Sequence, residues 1–72
     1  MEIRYSDHAR ERMGERRVSE RDVELALRHS IGDPAPGQPG TLWVEGHAVG
    51  GRILRVCVAA SDRTFVITLA WR

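Results

Sequence analysis

RILRVCVAASDRTFVITLAWR (52–72) places apolar residues at every second position on both sides of a polar break at Ser61-Asp62-Arg63, the period of two strands joined by a tight turn. Leu54, Val56, Val58 and Ala60 share one face of the first strand, and Phe65, Ile67, Leu69 and Trp71 share one face of the second. Two such faces side by side form a bed for helices. Upstream, TLWVEGH (41–47) precedes Gly50-Gly51, which predicts a third antiparallel strand turning at the glycines. GDPAPGQPG (32–40) holds three prolines and three glycines and reads as a loop, since prolines interrupt a hydrogen-bonded ladder. EIRYS (2–6) alternates Ile3 and Tyr5 with polar neighbours, as a short peripheral strand does.

Between that strand and the loop the period becomes helical. Ser6 or Asp7 supplies an oxygen for the free amides of a helix running to about Arg16, with Ala9 and Met13 as its apolar content. Ser19 and Asp22 have capping-box spacing, with Asp in place of the usual Glu, and Val18 and Val23 can staple across that start. Val23, Ala26, Leu27 and Ile31 continue a 3.6-residue stripe to about Ser30, and Glu24 and Arg28 are spaced for an ion pair. The order is β-α-α-β-β-β: an α+β domain, two N-terminal helices packed on one face of a small antiparallel sheet.

A chain of 72 residues forms a single domain, residues 1–72, and one this small gains from a second copy or another ligand, so a homodimer stays open. Cys57 is the only cysteine, which rules out an intrachain disulfide and fits the cytoplasm. No leader pattern and no run of about 18 apolar residues occurs, so neither secretion nor a membrane span is expected. All eleven cations are arginine, each able to grip a phosphate or carboxylate with two parallel hydrogen bonds. Ten acids nearly cancel them, and a formal net charge of +1 lacks the footprint of a general nucleic-acid binder. Any phosphate site must be local.

HARERMGERRVSERDVELALRH (8–29) and EGHAVGGRILRVCV (45–58) together resemble the bacterial family known as domain of unknown function 4258. The likeness rests on His8-Ala9, Arg12-Met13, Arg16, Val18-Ser19 and Gly50-Gly51-Arg52, and it covers nearly the whole chain. It implies a RelE/barnase-like fold, shared by metal-independent RNases that include the toxins of toxin–antitoxin pairs. RNA and an antitoxin protein are then the expected partners. Two departures stand out. Arg17 occupies a position where the family commonly has glycine, so the left-handed helix cap must be made otherwise, and the lysines of many RelE-like toxins are absent.

RNA cleavage without metal needs a base for the ribose 2′-OH, cations for the phosphorane and an acid for the departing 5′ oxygen. His8 and Arg12 lie at i and i+4, about 5–6 Å apart on one helix face, and histidine titrates near neutrality. Arg55 is the preferred cation from the strands, with Arg4, His47 and Arg52 as further substrate-binding candidates; Arg52 and Arg55 point to opposite faces. Glu45 can serve as base in place of His8, as a carboxylate does in some RNases of the resembled fold. Each has an ordinary structural alternative: His8 bonded to main chain, Arg12 paired with Glu15, Arg55 covering apolar surface, Glu45 facing water. His8, His29, His47 and Cys57 lack the close spacing of zinc-ligand pairs, so no metal and no cofactor is expected. Trp43 and Trp71 can stack on bases or fill the core. The competing expectation is a non-catalytic module binding protein, or itself, at a free sheet edge.

Overall fold

In the computed structural model, which describes residues 2–72, strand β1 (Arg4–Tyr5) passes directly into helix α1 (Asp7–Arg16). Ser6 makes that change possible: its hydroxyl accepts from the Ala9 amide at 3.0 Å, and Asp7 sits in the first turn, where the helix dipole favours an acid. Helix α1 ends at Arg17, which adopts the left-handed conformation itself (φ 54°, ψ 49°), while its amide and that of Val18 both donate to the Met13 carbonyl. The cap left open by the missing glycine is therefore made by an arginine. Helix α2 (Glu20–Arg28) begins with a complete capping box between Ser19 and Asp22, as its spacing predicts. Glu24 faces Arg21 at 3.7 Å and forms no ion pair with Arg28.

Strands β2 (Ala35–Pro36), β3 (Thr41–His47), β4 (Ile53–Ala59) and β5 (Asp62–Trp71) complete a sheet of order β1-β5-β4-β3-β2. It is mixed, because β1 runs parallel to β5 while the other pairs are antiparallel. The proline-rich segment is also more than a loop: Ala35 and Pro36 pair with Trp43 and Leu42 at the outer edge, where a proline lacking its N–H is tolerated. Both helices lie on one face. Their contact buries Ala9, Met13, Val23 and Ala26 against Val44, Leu54, Val56, Val58, Val66 and Leu69. Gly46 is what lets α2 come so near, since a Cβ there would overlap the Ala26 carbonyl.

Strand β5 departs from simple alternation. Val58 pairs with Val66 but Cys57 pairs with Thr68, so the register slips at Ile67. Val66 consequently enters the core together with Leu69, and Ile67 is left to the opposite face, correcting the expectation that Phe65, Ile67, Leu69 and Trp71 share one side. The outer side of β5 is closed as well. Val66 and Ile67 carbonyls accept from the Ser6 amide and hydroxyl, and the Leu69 carbonyl accepts from Arg16 at 2.7 Å. A partner strand thus finds those acceptors already taken. Among the described residues no helix is long and apolar enough to cross a membrane.

Candidate active site

Glu45 and Arg55 stand five residues either side of Gly50, and the β3–β4 hairpin pairs them directly. Alternation sends both away from the helices, onto the open face of the sheet. Trp43 pairs with Cys57 two positions along, and Cys57 pairs in turn with Thr68 of β5. Beyond β5, Arg72 is tied by its amide to the Ile53 carbonyl at 3.0 Å. The segment after α2 supplies a wall, because Ser30 bridges to Gly46 and the Ile31 amide donates to the Glu45 carbonyl at 2.7 Å.

These constraints shape a hollow of about 210 Å³ lined by Ile31, Asp33, Trp43, Glu45, Arg55 and Arg72. Glu45 Oε2 lies 3.7 Å from Nε of Arg55 and 3.7 Å from Nε of Arg72. Both separations exceed the ~2.7–3.2 Å of a hydrogen bond, so the pairings are loose and leave the guanidinium forks uncommitted. Arg55 also lies over the Trp43 ring, 5.0 Å from its centroid, which fixes its direction across the face. A carboxylate between two such forks can accept a proton while the arginines hold an oxyanion.

Trp43 also borders a second hollow of about 370 Å³. Gln38, Thr41, Thr68 and His8 give it polar groups, and Cys57 and Ile67 an apolar floor. His8 is exposed, and its ring makes no hydrogen bond among the described residues.

The other sequence candidates are placed elsewhere. Arg12 is ion-paired with Glu15 and lines neither hollow. Arg4 bonds Asp62 and lies over Phe65. Arg52 stacks on Trp71 with 3.7 Å to the ring centroid, while the Trp71 indole donates to the Arg16 carbonyl. His47 holds Nδ1 3.1 Å from the Gly51 carbonyl, within the hairpin turn. Among the described residues no group of three or more His, Cys, Asp or Glu side chains is placed to hold a metal ion. The open face thus brings together Glu45, Arg55 and, across Trp43, His8. Sequence reading missed Arg72 and Asp33. A signal for the central pair was present, because opposite charges equidistant from a Gly-Gly turn face each other in a hairpin.

A family model described as "Domain of unknown function (DUF4258)" matches residues 5–72. The chain belongs to this family. No curated protein and no solved structure gives a match. The DUF4258 match runs through both helices and all of β3, β4 and β5, so every residue lining the two hollows falls within it.

Proposed function

We propose that this domain is a metal-independent endoribonuclease with a RelE/barnase-like arrangement, cleaving RNA on the open face of the sheet. The observation that carries the reading is Glu45 held loosely between Arg55 and Arg72 beside an indole. Glu45 takes the proton of a ribose 2′-OH, whose oxygen attacks the adjacent phosphorus. Arg55 and Arg72 turn their free forks to the phosphorane oxygens, exchanging a weak hold on Glu45 for charge-assisted bonds that are strongest in the transition state. The P–O5′ bond breaks, His8 in its protonated form gives the departing oxygen its proton, and a 2′,3′-cyclic phosphate remains. On this reading Arg12, Arg4, Arg52 and His47 support the fold and do not touch substrate.

A toxin-like role with a protein antitoxin follows from the same resemblance, and the occupied outer side of β5 directs such a partner away from that edge. A non-catalytic binding module on the same scaffold is the second reading, favoured by the balance of Glu45 and Asp33 against Arg55 and Arg72. One assay separates them. Purified protein and end-labelled single-stranded RNA in excess chelator should yield 2′,3′-cyclic phosphate ends, with the rate falling at least about 100-fold in Glu45→Gln or Arg55→Ala at unchanged circular dichroism. RNA left intact at high protein concentration overturns the nuclease.

A further inference from the structure

Trp43 is a wall shared by two unlike hollows: one has two guanidiniums and two carboxylates, the other is larger, holds neither group and is floored by Cys57 and Ile67. Resting on the nuclease reading, we propose that the second hollow is a nucleobase subsite that accepts one unstacked base of single-stranded RNA and makes cleavage selective for it.

Three observations converge on this occupant. The indole at the wall and the apolar floor suit a flat ring, and base–aromatic stacking is a general source of affinity for unpaired strands. The polar groups are ones that read a base edge. The Thr41 hydroxyl is already committed as a donor to the Gln38 carbonyl at 2.7 Å, so toward a base it is left as an acceptor for an N–H. The Gln38 side-chain amide and the Thr68 hydroxyl make no hydrogen bond among the described residues, which leaves them to answer a base's acceptors and donors. The third observation is continuity. Arg55 over the same indole keeps the phosphate grip next to the base hollow, as a nucleotide requires, and no charged carboxylate lines the base side. A duplex cannot use this arrangement, because its bases are stacked on each other.

The test uses the full ¹⁵N-labelled chain titrated with four 2′-O-methyl trinucleotides, one for each base, whose blocked 2′ oxygen prevents attack. The expected result is amide shifts on both sides of Trp43, at Thr68 and Cys57 as well as at Glu45 and Arg55. One base should bind about tenfold more tightly than the poorest. Thr68→Val and Gln38→Ala should each erase most of that preference, and the cleavage pattern on mixed-sequence RNA should flatten in parallel. Shifts confined to the arginine side, or a base preference untouched by both substitutions, overturn the subsite and leave the nuclease standing. Absence of both binding and cleavage for every RNA overturns the nuclease reading and the subsite with it.

Discussion

Arginine does several different jobs in this chain, and each is decided by what lies within reach of one side chain. All four aromatic rings outside histidine carry a guanidinium: Arg4 at Phe65, Arg10 at Tyr5, Arg52 at Trp71 and Arg55 at Trp43. A planar cation stacks where a lysine would remain hydrated, so the absence of lysine has structural as well as chemical consequences. Arg17 is the exception, with its backbone rather than its head group under constraint. A left-handed conformation costs a side-chain-bearing residue roughly 1–2 kcal/mol, which glycine avoids at some expense in unfolded-state entropy. Arg17→Gly should therefore stabilise the domain by about 0.5–1 kcal/mol, seen as a higher urea midpoint with an unchanged slope. A lower midpoint would mean that the Arg17 side chain contributes more than its strained backbone costs.

At the scale of elements, one carboxylate joins helix to hairpin. Asp22 Oδ2 accepts from the Ser19 amide and hydroxyl, and Oδ1 accepts from the Val49 amide at 3.1 Å in the turn between β3 and β4. Burial pushes its pKa up, but those hydrogen bonds and the charge of Arg52 outweigh burial and hold it below the ordinary value. The unfolded chain then binds the proton more readily than the folded one, so this stabilisation is complete above about pH 4 and disappears as pH falls through the lowered value. Asp22→Asn should cost about 1–3 kcal/mol at pH 7 and shrink the loss of stability on going to pH 3, both read from urea midpoints. Asp62, lowered by the Thr64 hydroxyl and amide, keeps a residual acid dependence in the variant. Both helix starts are readable from sequence because capping is local: Ser6, Ser19 and Asp22 act within three residues of themselves. The slip in β5 is not, since Phe65, Val66 and Ile67 are all apolar and erase the period that would reveal it. The site divides the same way. His8 with Arg12 is a pattern of helix spacing, whereas Glu45 between Arg55 and Arg72 depends on which strands pair, a long-range fact with only the Gly-Gly turn as a local trace.

For the whole molecule, near-neutral charge and local pairing limit how RNA can be held. Arg4, Arg10, Arg12 and Arg21 each face an acid, and the whole chain carries a formal net charge of only +1. Long-range steering is correspondingly weak, and affinity must come from contacts at the two hollows. Counterion release measures this directly. With Arg55 and Arg72 as the phosphate contacts, the slope of log K against log salt for a single strand should be roughly −1.4, at about −0.7 per phosphate neutralised. Arg55→Ala or Arg72→Ala should reduce it to about −0.7, while Arg10→Ala and Arg12→Ala should leave it unmoved. Fluorescence anisotropy of a labelled 2′-O-methyl strand across a salt series gives the slopes. A value steeper than roughly −3 would require four or more neutralised phosphates, more than this face can supply, and would transfer RNA contact to the arginines of α1 and α2.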